Sequence, residues 1–196
     1  MLFDALAVAV IVALIGGGRF SRFAQLDLRW PWVFVGAFGL RLAIRVLGIA
    51  NWQPALASAP ALHLLSYALL LAAMVANWRL WPMWIASVGV LMNVAVIAAN
   101  GGAMPAAADL VRASGQLRLL ALVEAGRFPT HSLMGPGTRL PFLADRLFLP
   151  PPYPRPCVFS LGDIFITLGV ALLVVRGMGA FGWGRARPES APPREA

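Results

Sequence analysis

The stretch WPWVFVGAFGLRLAIRVLGIA, residues 30–50, decides the fold, because its residues are apolar apart from two arginines. A bilayer hydrocarbon core about 30 Å thick is crossed by a helix of about 20 such residues. Pro31 suits a first helical turn, and Trp30 and Trp32 are typical of the headgroup level. The stretch therefore predicts a membrane-spanning helix.

Four other apolar stretches are similar, so we predict an all-α integral membrane protein with five transmembrane helices. The predicted spans are residues 2–18, 30–50, 61–80, 82–99 and 161–176. They form a single transmembrane domain, residues 1–180, followed by a disordered tail, residues 181–196. The first span has Arg19 after it and no basic residue before it, the reverse of a cleavable signal peptide.

The composition excludes an ordinary soluble domain and an intrinsically disordered chain. Of 196 residues, 60% are hydrophobic and 12% charged, whereas soluble domains have about half and about a quarter. The net charge of +8 comes from 16 arginines and no lysine, without the basic clusters or motifs of nucleic-acid binding. We expect membrane lipids as partners, with other membrane proteins as an open alternative. The single Cys157 predicts no disulfide, and no cofactor or metal site is expected.

Arginines on the segments between the spans predict the orientation. Arg19, Arg22, Arg29 and Arg79 fall on one side, which the positive-inside rule makes cytoplasmic. The N-terminus is then outside, the C-terminus and its tail are cytoplasmic, and residues 100–160 form a long external loop. We predict that this loop is partly ordered, with a helix from Pro105 to about Glu124 and irregular Pro-rich stretches after it.

The polar residues within the spans predict a cluster near the outer leaflet. Arg41 and Arg45 lie four residues apart on one helix face, and Asn93 and Asp163 fall at the same depth in other helices. Asn100 follows Asn93 by two turns and shares its face. One interpretation is a structural set of ion pairs and hydrogen bonds. The other is a ligand or catalytic site in which Asp163 acts as acid, base or ligand contact.

Three smaller features contain residue types that also occur in functional sites. The segment from Asn100 to Pro105 is either a helix cap and turn or a loop whose backbone amides face a ligand. His63 and His131 lack metal partners at a recognisable spacing, and Cys157 has none either. These features do not by themselves predict an activity.

The segment VFSLGDIFITLGVALLVV, residues 158–175, resembles the last helix of bacterial signal peptidase II, the lipoprotein signal peptidase. Residues 143–156, LADRLFLPPPYPRP, match that family in spacing, and Gly89 and Asn93 resemble its G-x-x-x-N helix. The resemblance implies a membrane aspartyl peptidase with Asp163 catalytic and Asp145 as a second acidic residue. The chain has Val96 at the position where we place the family's first catalytic Asp.

The whole chain also resembles a bacterial multi-pass membrane family of unknown function. The residues that carry this similarity are GGGRFSRFAQLDLRWPW (16–32), NVAVIAANGGAMP (93–105) and FSLGDIFITLG (159–169). The resemblance implies a fold and a location in the bacterial cytoplasmic (inner) membrane. We therefore favour a non-enzymatic scaffold, ligand-binding protein or accessory subunit. A signal peptidase II-like hydrolase that uses Asp163 with an unidentified partner is the alternative, and a small transporter is the third.

Overall fold

A computed structural model describes residues 2–183, which form a bundle of five long helices with a folded segment over one end. The long helices are α1 (Leu2–Ile15), α3 (Pro31–Ile49), α4 (Gln53–Ala76), α5 (Pro82–Ala99) and α8 (Leu161–Gly177). A single turn, α2 (Phe20–Phe23), lies between α1 and α3. Residues from 184 onward, most of the predicted tail, lie outside the described part; residues 180–182 form a 3-10 turn rather than disordered chain.

Three of the helices, α3, α4 and α5, are long and apolar enough to cross a membrane. Helix α1 has 14 residues and α8 has 17, so at about 1.5 Å per residue they are shorter than a hydrocarbon core of about 30 Å. The first predicted span, residues 2–18, was too long because the helix ends at Ile15 and Gly17 takes a positive φ of 78°. Glycine adopts that conformation without a Cβ penalty.

The predicted start of the third span was wrong. Helix α4 begins at Gln53 rather than near residue 61, so it includes most of the uncharged stretch of residues 51–60, which the predicted spans leave as a loop between the second and third helices. Pro54 lies in the first turn, where its missing N–H is not needed, and Pro60 is tolerated inside the helix.

The helices pack in the order α1, α8, α5, α4, α3. The closest pair is α5 and α8, which meet at glycines: a Cβ on Gly89 would lie 2.3 Å from the carbonyl oxygen of Gly162. A Cβ on Gly169 would lie 2.5 Å from the backbone nitrogen of Ala86. Small residues allow such close approach between helices that lipid would otherwise separate. Helices α1 and α3 are the first and the last in this order. The bundle is open between them, where residues of both helices line a cavity.

The segment of residues 100–160 folds over the end of the bundle where α3 and α5 finish and α4 and α8 begin. Its elements are β1 (Met104–Ala106), α6 (Ala108–Ala113), α7 (Leu117–Glu124), β2 (His131–Leu133), a 3-10 turn (Pro141–Leu143), β3 (Leu147–Leu149) and β4 (Cys157–Phe159). Strands β1 and β2 pair in parallel, and β3 and β4 form an antiparallel pair. The all-α prediction was therefore wrong for this segment. The helix predicted from Pro105 was also wrong, because Pro105 lies in β1 and Gly115, at φ 73°, separates α6 from α7.

Side chains and backbone hold both ends of the bundle. The Arg127 guanidinium donates to the Ile49 carbonyl at the end of α3, and Arg155 forms an ion pair with Asp4 of α1. At the opposite end, the Asn77 amide donates to the Arg29 carbonyl over 2.7 Å and accepts from the Arg29 N–H over 2.7 Å. The main hydrophobic core lies between α4, α5 and α8.

Candidate functional site

A cavity of about 740 Å³ lies along the open side of the bundle, between α3 and α8, with α4 and α5 as its floor. We call it the α3–α8 groove. Its polar lining residues are Arg41, Arg45, Tyr67 and Asp163. Its apolar lining includes Phe3, Leu6, Phe34, Phe38, Leu70, Met74, Val90 and Leu173. The groove is therefore an apolar channel with charged groups of both signs on its walls.

Arg41 and Arg45 face the groove from α3, and no carboxylate of the described residues 2–183 pairs with them. The Arg41 guanidinium donates to the Tyr67 hydroxyl over 2.9 Å, and its Cζ lies 4.3 Å from the centroid of the Tyr67 ring. The Cζ of Arg45 lies 5.4 Å from the Phe128 ring centroid, and its Nε is buried with no hydrogen-bond partner. Within residues 2–183 neither arginine forms an ion pair with an acid.

Asp163 faces the groove from α8 and is held in place by a capping box. Its Oδ2 accepts from the Ser160 N–H over 3.1 Å, and its own N–H donates to Ser160 Oγ over 3.0 Å. This arrangement satisfies backbone donors at the start of α8, and the helix dipole favours a carboxylate there. Asp163 is therefore a structural residue as well as a groove residue.

Asn93 ties this cap to α5. Its Nδ2 donates to Asp163 Oδ1 over 3.0 Å, and its Oδ1 accepts from Ser160 Oγ over 2.9 Å. Asn93 and Ser160 are buried, so the amide and the hydroxyl satisfy each other. Of the structural set predicted from the sequence, the hydrogen bond between Asn93 and Asp163 is present, whereas ion pairs to Arg41 and Arg45 are not formed.

Asp145 lies beside this site although it comes from the folded segment. Its N–H donates to the Pro105 carbonyl over 2.9 Å, and its carbonyl accepts from the Ala107 N–H over 3.0 Å, which fixes it against β1. Its Oδ2 lies 3.6 Å from His131 Nε2, and its Oδ1 is buried without a hydrogen-bond partner.

Burial raises the pKa of the Asp145 carboxyl, the hydrogen bond and charge of His131 lower it, the charge of Asp163 raises it, and that of Arg45 lowers it. The interaction energy of two charges falls as the distance between them increases. The structure thus brings the two acids named from the sequence, Asp145 and Asp163, into one electrostatic neighbourhood with Arg45.

Asn100 does not line the groove, and its side chain binds the backbone of the folded segment instead. Its Nδ2 donates to the Arg139 carbonyl over 2.9 Å and its Oδ1 accepts from the Arg139 N–H over 2.9 Å, so the side chain clips the folded segment to the end of α5. His63 Nδ1 lies 2.8 Å from the Gly102 carbonyl oxygen, and Gly102, at φ 91°, packs on Pro60. The segment that follows Asn100 is thus a cap and a tight turn against α4.

Sequence reasoning missed Tyr67 and the role of Ser160. Tyr67 lies four residues after His63, and a hydroxyl in an apolar span was the available signal. Ser160 and Asp163 form the S-x-x-D pattern that precedes an apolar helix, a capping signature readable from the sequence. In the part of the chain that the structure describes, no group of three or more His, Cys, Asp or Glu side chains is arranged to hold a metal ion.

Most of the range from α3 to α8, which contains all these residues, also matches the model of a known family. The model of a family of unknown function, DUF5317, matches residues 25–175. The chain belongs to this family. The predicted membership of an unknown-function family is thereby confirmed. No curated protein and no solved structure matches the chain, and the resemblance to signal peptidase II remains a prediction.

Proposed function

We propose that this DUF5317 protein is a five-span protein of the bacterial cytoplasmic membrane that binds a membrane amphiphile in the α3–α8 groove. In this topology α1 and α8 cross the bilayer beside α3, α4 and α5, and residues 100–160 cover the groove's outer end. The head of the amphiphile lies at Arg41 and Arg45, and its chain lies along the apolar wall toward the cytoplasmic side. The protein is a binding protein or accessory subunit rather than an enzyme.

The observation that carries this proposal is a pair of arginines that line an apolar groove and have no carboxylate partner among the described residues 2–183. Each arginine costs about 2.5–3.5 kcal/mol at the centre of a spanning helix. A planar guanidinium binds phosphate or carboxylate oxygens through paired hydrogen bonds. An anionic head between Arg41 and Arg45 would offset that cost through hydrogen bonds from the two guanidinium groups.

The dimensions of the groove suit a lipid chain. From Asp163 to Leu173 the lining follows α8 for ten residues, or about 15 Å of helix. A cavity of about 740 Å³ lies in the range of small-molecule sites, about 300–1,000 Å³. The open side between α1 and α3 gives a lipid a lateral entrance from the bilayer, with Phe3 and Phe38 on its two edges.

Binding of a defined anionic lipid tests the proposal. The purified full-length protein, in detergent micelles doped with phosphatidylglycerol, is analysed by native mass spectrometry. We expect retained lipid for the wild type and a loss of at least about tenfold in affinity for Arg41→Ala combined with Arg45→Ala, because each charge-assisted hydrogen bond contributes about 1.5–3 kcal/mol. The control is Arg112→Ala, an exposed arginine of α6 outside the groove. Equal binding by all three proteins overturns the proposal.

A membrane aspartyl hydrolase is the second candidate, and the electrostatic effect of Asp163 on Asp145 favours it. Such chemistry needs one neutral and one ionised carboxyl group, the ionised group activating water and the neutral group protonating the leaving group. Burial and the charge of Asp163 raise the pKa of Asp145 in the required direction. The test is cleavage of a lipid-anchored peptide in proteoliposomes, with Asp145→Asn and Asp163→Asn each abolishing turnover in a folded protein. Absence of cleavage by the wild type contradicts this candidate.

A further inference from the structure

We propose that the groove selects a zwitterionic lipid with a primary amine, whose phosphate binds Arg41 and Arg45 and whose ammonium group donates to Asp163. This inference rests on the proposed function, because it concerns the ligand of the same groove. It adds a second contact, made by α8, to the one made by α3. The chemical class that fits is a phosphoethanolamine head on acyl chains.

Opposite charges face the same cavity without touching. Arg41 and Arg45 line it from α3 and Asp163 lines it from α8, yet within residues 2–183 they form no ion pair with each other. In a low-dielectric site a charged side chain is costly unless a group of opposite charge pairs with it. A lipid headgroup that has both an anionic phosphate and a cationic ammonium group can pair with the arginines of α3 and with Asp163 of α8.

The position of Asp163 is fixed toward the groove. Asn93 holds one carboxylate oxygen and the Ser160 N–H holds the other, at 3.0 and 3.1 Å. The side chain therefore does not move across to Arg41 or Arg45 without breaking the cap of α8. Each ionised oxygen accepts more than one hydrogen bond, so Asp163 still has capacity for an N–H donor from a ligand.

The amine must carry hydrogen atoms to use this capacity. A primary ammonium donates charge-assisted hydrogen bonds to a carboxylate, which are about twice as strong as neutral ones. A quaternary amine has the same charge and the same phosphate but no N–H. Phosphatidylethanolamine and phosphatidylcholine with identical chains have the same phosphate and net charge, and they differ in the N–H donors that we assign to Asp163 and in the N-methyl groups that replace them.

Competition between matched lipids tests this contact on the wild-type protein. Full-length protein in micelles is titrated with phosphatidylethanolamine, its N-methyl and N,N-dimethyl derivatives, and phosphatidylcholine, with bound lipid measured by native mass spectrometry. We expect at least about fivefold tighter binding of the primary amine than of the quaternary one, with the largest step at loss of the last N–H. Equal binding across the series overturns the inference.

A variant pair assigns the preference to Asp163. In Asp163→Asn we expect the ratio between the first and last lipids of the series to fall to within about twofold. The matched control is Asp109→Asn, the same change at an exposed acid of α6, which should keep the wild-type ratio. An unchanged ratio in Asp163→Asn overturns the inference.

The two proposals fail differently. If phosphatidylglycerol binds through the arginines and the amine series shows no preference, the groove binds amphiphiles but does not select the amine. If none of these lipids binds the wild type, the proposed function itself is wrong. The lipid series alone decides the inference if Asp163→Asn does not fold.

Discussion

Asp163 shows what the sequence predicts about single residues and what it does not. The fixed rise of a helix placed Asp163, Arg41 and Arg45 at one depth, and all three line the same groove. The expected ion pairs are absent from the described residues because α3 and α8 lie on opposite sides of an open groove. Tyr67 takes the hydrogen bond of Arg41 instead. A depth calculation gives the level of a side chain but not its neighbours across the bundle.

Asp145 was named beside Asp163 only through the resemblance to signal peptidase II, because its position in the fold depends on pairing between segments distant in the chain. It is held against β1, about 40 residues earlier, through backbone hydrogen bonds with Pro105 and Ala107. Spacing along the chain contains no signal for such a contact. The contact between Asp145 and His131, 3.6 Å apart, therefore appears first in the structure.

Replacing Asp145 by Asn tests the raised pKa of its carboxyl group. Burial, together with the charge of Asp163, raises that pKa, against the opposing effects of His131 and Arg45. Between the ordinary value and the raised one the folded protein binds more protons than the unfolded chain, so wild-type stability falls as the pH rises. We expect the Tm of Asp145→Asn to rise relative to wild type from about pH 4 upward. The measurement is thermal unfolding in micelles across that range.

Asp109→Asn controls for the loss of one negative charge, because Asp109 is exposed. Its Tm difference from wild type should show little dependence on pH. A pH-independent Tm difference for Asp145→Asn would contradict the raised pKa.

At the scale of elements, hydropathy predicted the apolar helices well, and their boundaries less well. The spans around α3 and α5 agree closely with Pro31–Ile49 and Pro82–Ala99. The start of α4 was missed because an uncharged stretch with two prolines has the composition of a loop. The strands of the folded segment have three residues each, too few to show the alternation that identifies a strand.

Replacing Gly89 by Ala tests the close contact of α5 and α8. The added Cβ would lie 2.3 Å from the Gly162 carbonyl oxygen and 2.7 Å from the Ile166 nitrogen, both of them backbone atoms. The helices must therefore separate, and we expect a loss of about 1–3 kcal/mol in the free energy of unfolding. The loss is measured by denaturant titration in mixed micelles.

Gly36→Ala is the matched control, since a Cβ at Gly36 of α3 meets nothing within 4 Å. Alanine favours a helix over glycine by about 0.5–1 kcal/mol, so this variant should be as stable as wild type or more so. A Gly89→Ala protein with wild-type stability would show that the two helices do not approach as closely as the structure places them.

At the scale of the whole molecule, the most testable property is the orientation of the helix bundle in the membrane. Gln25, between α2 and α3, and Gly137, in the folded segment, are both exposed and belong to opposite ends of the bundle. The count of arginines predicts Gln25 on the cytoplasmic side. The orientation was predicted from composition and charge alone, whereas the order of the helices and the groove between them could be seen only in the three-dimensional structure.

Single cysteines report the orientation directly. Gln25→Cys and Gly137→Cys are each made with Cys157→Ser, and intact cells are treated with a membrane-impermeant maleimide. We expect Gly137→Cys to react in intact cells and Gln25→Cys to react only after permeabilisation. The opposite pattern would reverse the topology, and reaction of both from one side would show that the helices between them do not cross an odd number of times.

In the five-span topology that we propose, the shortness of α1 has a consequence for the surrounding bilayer. Its 14 residues span about 21 Å, well below the thickness of the lipid core. Lipids next to a short span adjust by local thinning, or the helix flanks adjust instead, at a cost of a fraction of a kcal/mol per Å of mismatch. Because α1 borders the lateral entrance, thinning would draw headgroups inward there, toward the depth of Arg45. Lipids with longer chains should therefore exchange more slowly with the groove than lipids with shorter ones.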